Sequence, residues 1–236
     1  MDSFNILSRA LIDTWLTSSS TTSPTEIYAE VAAKLTAKMA LFVMRTEASD
    51  PYDWQLRRIR NFSFRSSLLA QLAPAFADTA LRNLDRDFVD RMMIPAYSRA
   101  VMLRRPTKEM VRSQIGPIQV GYERLILPQK TVQRPDWCIS LVAARYLLPK
   151  MLEAKTDAID ENVIQLLIEG HATKEIADWL NLSPRTIEHR LSRLKDRFEA
   201  ANLVHLVAKI VAAQVSDNSF HVNGEGQWSP AVASTD

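Results

Sequence analysis

Apolar residues recur once per helical turn at the start of the chain. Phe4, Leu7, Leu11 and Trp15 share one side of the repeat, which predicts an amphipathic helix over residues 4–16. The polar run TSSSTTSPT, closed by Pro24, ends that helix, so residues 1–24 read as a helix and a linker. Ile27, Val31, Leu35 and Met39 form a second stripe and predict a helix from Thr25 to about Met44. DPYD then marks a turn. In WQLRRIRNFSF the period shortens to an alternation, which predicts a strand. Leu84, Phe88, Met92 and Tyr97 restore a helical register over Asn83–Leu103, although Pro95 must kink or divide it. Three strands are predicted near 109–115, 118–127 and 137–147, punctuated by Gly116, Pro117, Pro128 and Pro135. The fold class is α+β, with residues 25–150 an antiparallel sheet with helices and residues 151–215 an all-α domain of four helices.

The four helices carry stronger punctuation. Asp157 is placed as an N-cap, Asp160 as the third residue of a capping box and Gly170 as the closing residue, around a stripe of Ile159, Val163, Leu166 and Leu167. Thr173 is expected to cap a two-turn helix that turns Ile176, Ala177 and Leu180 inward, and Asn181-Leu182 makes the following turn. Ser183-Pro184 starts the third helix: serine accepts from an orphan amide, and proline at the first helical position needs no donor. Ile187, Leu191, Leu194 and Phe198 share its buried face, while Arg185, Glu188, His189, Ser192, Arg193 and Asp196 point elsewhere. Asn202 is expected to cap a last helix containing Leu203, Leu206, Val207, Ile210 and Val211.

Two resemblances follow from these residues. The run LLIEGHATKEIADWLNLSPRTIEHRLSRLKDRF resembles the LuxR/FixJ (GerE-type) helix-turn-helix: the glycine after the first helix, KEIA, the leucine before the turn and SPRTI agree in order and spacing over about 157–213. The resemblance implies a four-helix DNA-binding domain with Pro184 to Glu199 as recognition helix and a last helix that often makes a dimer contact. This sequence departs from the pattern at Asn162, where a glutamate is usual, at Glu188, where a basic residue is common, and at Arg190, where histidine is frequent, so an operator cannot be borrowed from a relative. Over roughly 40–150 the order of elements, the helix ending in RRP before the sheet, and VGYERLILPQ followed by an apolar strand resemble a PAS-type sensor domain.

If the third helix enters a major groove, Glu188, His189 and Ser192 stand where base edges are read. A carboxylate beside phosphates is costly unless it accepts from a cytosine amino group, and the alternative for Glu188 is a salt bridge to a neighbouring cation. Lys174, Arg185, Thr186, Arg190, Arg193 and Lys195 are candidate phosphate ligands, or simply solvated.

Composition narrows the rest. The net charge of +2 identifies no partner by itself. All four histidines lie beyond residue 170, which excludes histidine-ligated haem in the N-terminal domain. Cys138, the single cysteine, cannot form an intrachain disulfide and sits in the strand-like WCISLV, away from any polar helical motif suited to a flavin adduct. No cofactor and no metal site is expected. Trp54, Phe62, Tyr122, Trp137 and Met92 line either a ligand pocket or a packed core. No glycine-rich phosphate loop or nucleophile–base pair points to an enzyme. No apolar run spans a bilayer, and the start MDSFNILSRALIDTWL lacks a secretory pattern, so a cytoplasmic location is expected. Residues 216–236, with a lone Trp228, read as a mobile tail.

The sequence therefore predicts a transcription regulator that binds double-stranded DNA as a homodimer. Its PAS-like domain would answer to a small-molecule or protein signal, and a contact with RNA polymerase is a further expected partner. Two competing readings are an acyl-homoserine-lactone sensor on the same DNA module and a protein-interaction adaptor whose helix-turn-helix has lost DNA binding.

Overall fold

The apolar run MALFVMR, expected to finish a helix, is instead strand β1 (Met39–Arg45) of a computed structural model that describes residues 3–149 and 156–217. A helix with an apolar stripe still leaves a polar side, whereas Ala40 to Met44 are all buried. A strand covered on both faces buries every residue of such a run. The preceding helix stops earlier: α2 (Pro24–Ala32) is opened by a reciprocal capping box between Ser23 and Glu26. It packs with α1 (Ser3–Thr17), which buries Phe4, Leu7, Leu11 and Trp15.

The chain divides into two compact units, Met1–Glu153 and Ala154–Asp236. In the first, β1 joins β2 (Gln55–Arg60), β3 (Thr79–Ala80), β4 (Thr107–Ile115), β5 (Ile118–Pro128) and β6 (Trp137–Pro149) in an antiparallel sheet ordered β3-β2-β1-β6-β5-β4. The strand expected over WQLRRIRNFSF ends at Arg60, because the Ser63 and Phe64 amides turn to the Ala37 carbonyl.

Period-two alternation sorts the side chains into two cores. Met39, Leu41, Val43, Leu125, Leu127, Trp137 and Ile139 meet α1 and α2. Ala40, Phe42, Met44, Tyr122, Cys138 and Val142 face the helices of the β2–β4 connection. Those helices are α3 (Ser67–Leu72), α4 (Arg86–Phe88) and α5 (Ile94–Leu103). The expected break at Pro95 takes the form of a π-helical turn, Val89–Met93, between α4 and α5. Proline supplies no amide to the preceding turn, and a wider turn accommodates its ring. Of the five candidate lining residues, Trp137 belongs to the α1–α2 side, while Trp54, Phe62, Tyr122 and Met92 pack on the other. Cys138 is fully buried, and burial pushes its thiol pKa up.

A β-bulge interrupts the β5–β6 register: Gly121 opposes Tyr146 but Tyr122 opposes Ala144. A Cβ on Gly121 would lie 2.2 Å from the Tyr146 ring, so this position needs glycine for close approach.

The second unit contains α6 (Ala158–Ile168), α7 (Thr173–Leu180), α8 (Pro184–Arg197) and α9 (Leu203–Asp217). Its core is built from Val163, Ile164, Ile176, Ala177, Ile187, Leu191, Leu194, Phe198, Leu206 and Ile210. Ile159, expected to face inward, is exposed, and Ile164 takes the place in the core. Thr173 is the first residue of α7 and not its cap. The Ala172 amide is held by the Glu175 carboxylate, 2.7 Å away, so glutamate supplies the cap that alanine lacks. Ser216 and Asp217 belong to α9, and the rest of the expected tail, with Trp228, lies outside the described residues. Among the described residues no helix is long and apolar enough to cross a membrane.

Candidate nucleic-acid interface

The turn between α7 and α8 is fixed by its own residues. Asn181 adopts a left-handed conformation (φ 52°), which ends α7 and lets the Leu182 amide donate to the Ala177 carbonyl. Ser183 is extended and its hydroxyl accepts from the Thr186 amide at 3.1 Å, with Pro184 next in the first turn. α8 therefore starts at a defined point, and that fixes which way each later side chain faces.

Ile187, Leu191, Leu194 and Phe198 are buried along one side of α8. Arg185, Thr186, Glu188, His189, Ser192 and Arg193 are exposed, as is Lys174 on α7, and Lys195 is half-buried on the flank. Thr186 also shares a hydroxyl hydrogen bond with Ser183 (2.8 Å), which ties it to the cap. The outward face thus brings together the candidate base readers and most of the candidate phosphate ligands. Among the described residues Glu188 makes no salt bridge within 4.0 Å, so its carboxylate stays unneutralised on that face.

Arg190 stands apart. Its Nη1 donates to Asp157 (2.9 and 3.0 Å) and to Asp160 (2.6 Å), both at the start of α6, and the side chain is half-buried. Arg197, seven residues on and on the same side of α8, donates to the other oxygen of Asp160 at 2.8 Å. The backbone amide of Asp160, and then Arg190, hold the Asp157 carboxyl below the usual carboxylate range. Asp157 and then Asp160 push the Arg190 pKa up. Arg190 was expected among the phosphate ligands, but here its guanidinium is occupied by two carboxylates and joins α8 to α6.

Sequence reasoning missed three participants. The sequence marks Asp160 only as a cap residue, yet its side chain is 5% exposed and bridges two arginines. The signal was present, since Arg190 and Arg197 flank the apolar stripe at i and i+7. Lys209 on α9 is 2% exposed, and its Nζ donates to the carbonyls of Phe198 (2.5 Å) and Glu199 (3.3 Å), which closes the C-terminal end of α8. A lone lysine among apolar residues of a helix gives no such hint. Trp179, one residue from the end of α7, is 70% exposed beside the His171 ring. Asn202 does cap α9, accepting from the His205 amide at 2.8 Å.

With this geometry in place, comparisons add a family for the segment. Residues 160–210 match the model described as "Bacterial regulatory proteins, luxR family", so the C-terminal unit carries a DNA-binding helix-turn-helix domain of that type. No curated protein sequence matches the chain. Similar solved structures include VqmA bound to DPO (14% identity, covering 81% of this chain and 88% of that one, TM-score 0.28). A Vibrio cholera VqmA–ligand–DNA complex is 12% identical, with 80% and 89% covered and a TM-score of 0.30. Escherichia coli SdiA is 12% identical, with 91% and 99% covered and a TM-score of 0.26. At TM-scores this low the overlaps transfer neither an arrangement nor a ligand to this chain.

Proposed function

We propose that this protein is a dimeric transcription regulator in which α8 reads DNA and the N-terminal unit, a PAS-like domain, receives a signal. One observation carries the reading: the outward face of α8 combines Arg185, Glu188, His189, Ser192 and Arg193 with no intrachain ion pair among the described residues, while the neighbouring arginines of that helix are turned inward. Glu188, His189 and Ser192 lie where base edges are met. Lys174, Arg185, Thr186, Arg193 and Lys195 surround them as phosphate ligands, and Arg190 sets the angle of the helix from behind.

The N-terminal assignment is supported by a sheet whose central strands are its first and last long ones, β1 and β6, with a helical connection covering an aromatic core on one face. Dimerisation is supported by α9, where Val204, Ala208 and Val211 form an exposed stripe at i, i+4 and i+7.

The test is selection of full-length protein against random duplex DNA at two salt concentrations, beside an Arg185→Ala, Arg193→Ala variant. The expected result is a two-fold-related site, with the slope of log affinity against log salt shallower in the variant by about 0.9 for each phosphate it no longer neutralises. Failure to enrich any sequence, in the full-length protein and in residues 151–236 alike, would favour the adaptor reading.

A further inference from the structure

The sheet of the N-terminal unit has a gap near the end of β6. That strand continues to Pro149, but β1 begins only at Met39, opposite Ala143, so the later residues of β6 lose their strand neighbour on that side. The Ala144 amide still donates to the Lys38 carbonyl at 2.8 Å. Beyond it lies the connection from β2 to α3, tied down where the Ser63 and Phe64 amides donate to the Ala37 carbonyl (2.9 and 3.3 Å). These segments enclose a cavity of about 130 Å³, with Lys38, Phe64, Ser66, Arg145 and Tyr146 among its walls. Lys38 and Arg145 are exposed, so the cavity opens to solvent.

Its polar groups offer hydrogens and lack an acceptor. The Tyr146 Oη is buried and has no hydrogen-bond partner among the described residues. The Ser66 Oγ accepts from the Leu69 amide at 3.4 Å, which leaves its own hydrogen free to donate. Lys38 makes no ion pair within 4.0 Å among the described residues, and neither does Arg65, which stands between Phe64 and Ser66 in the chain. Arg145 is paired with Glu123 and adds no net charge. None of the described lining residues is acidic. Residues 55–66 contain four arginines and no acid, so the potential around the opening draws anions. A buried hydroxyl without a partner is costly until something accepts from it.

We propose that this cavity binds a phosphate group, free or carried by a small organic ester, through Lys38, Ser66 and Tyr146. An ammonium and two hydroxyls supply five hydrogens from three separate segments, which suits a tetrahedral anion with several terminal oxygens better than a planar carboxylate. The unpaired charges of Lys38 and Arg65 match the two negative charges of a phosphate. The volume agrees, since it exceeds that of a single water several-fold and stays below the roughly 150 Å³ that encloses an aromatic ring. An ester leaves its organic part outside, in the solvent. The proposal stands apart from the DNA-reading role of α8.

The test is calorimetric titration of full-length protein, in buffer free of phosphate and sulfate, with inorganic phosphate, glycerol phosphate and acetate, on wild type, Lys38→Met and Tyr146→Phe. Phosphate is expected to saturate one site per chain at millimolar concentration and to bind at least about tenfold tighter than acetate, the worth of one charge-assisted hydrogen bond. Lys38→Met should weaken it about tenfold and Tyr146→Phe roughly fivefold. The melting temperature of Tyr146→Phe should be unchanged or higher, because the hydroxyl it removes has no partner. Glycerol phosphate bound as tightly as phosphate supports the site and assigns it to esters; much weaker glycerol phosphate supports it and assigns it to the free anion. No saturation at millimolar phosphate, equal binding of acetate, or indifference to both substitutions would each overturn the proposal. So would displacement of phosphate by random duplex DNA, which would make the cavity part of a nucleic-acid surface.

Discussion

Replacing Asp160 by alanine removes the carboxylate that bridges Arg190 and Arg197 at 2.6 and 2.8 Å while its own side chain is 5% exposed. Deleting one partner of a buried pair costs roughly 3–5 kcal/mol, because the other charge stays behind unpaired. Here the loss is smaller for two reasons: Arg190 keeps Asp157, and Arg197, with its side chain 31% exposed, can be rehydrated. About 2–3 kcal/mol remains, which corresponds to amide exchange about 30- to 150-fold faster at Ile187, Leu191 and Leu194 if their protection reports opening of α8 from α6. Hydrogen exchange on the full-length protein reads this directly. The salt slope of DNA binding should stay as in wild type, since Asp160 lies behind the helix and no phosphate ligand is removed. A change in exchange below about threefold, or wild-type protection with a shallower slope, would refute the assignment of this network as the clamp that positions α8.

The remaining predictions concern neighbours of that clamp. Glu188→Gln should relax base preference at one operator position by about 1–3 kcal/mol of discrimination while raising affinity for unrelated duplex, as read by competition binding; unchanged preference would remove Glu188 from base reading. Lys209→Met keeps the stem and loses the ammonium that closes α8, and should lower the stability of the C-terminal unit by about 1–2 kcal/mol in denaturant unfolding followed at its amides; an unshifted midpoint would mean that water replaces the ammonium at no cost. The Asp157 carboxyl is held below its ordinary value near ~3.9, so its contribution is fully present above that pH and is lost as pH falls through the folded value. Protection of the Asp160 amide should therefore be flat above about pH 4 and fall only in more acid solution; a carboxyl titrating at the unperturbed position would contradict the hydrogen bonds assigned to it.

The parts of the fold legible in the sequence were those where local chemistry and tertiary burial agree. Ser183-Pro184, Asn202 and the stripe Ile187–Leu191–Leu194–Phe198 state their structure in adjacent residues, and α8 and α9 follow them. β1 is hidden in the sequence because Leu35 and Met39 happen to continue a helical spacing, whereas the cover on both faces that favours a strand comes from segments far along the chain. The candidate site shows the same division. Which residues face outward on α8 follows from a period of 3.6, but the fate of Arg190 depends on Asp157 and Asp160, thirty or more residues away, and no spacing within α8 encodes it. Lys209 is the extreme case, a charge whose partners are backbone carbonyls and so leave no trace in side-chain pattern.

β6 has the build of a beam. Its thirteen residues contain no glycine; β1 pairs with it from Trp137 to Ala143, the Ala144 amide still donates to the Lys38 carbonyl, and β5 continues the pairing from Tyr146 to Pro149. Stiffness is interrupted at Arg145, which the β5 register passes over as the one extra residue of the bulge. That residue works as a phase shifter: it lets Ala144 and Tyr146, two positions apart, oppose the adjacent residues Tyr122 and Gly121 and so point to opposite faces of the sheet. Deleting Arg145 would straighten the strand and leave Tyr146 opposite Gly121, whereas inserting a residue anywhere else in β6 would turn every later side chain to the opposite face.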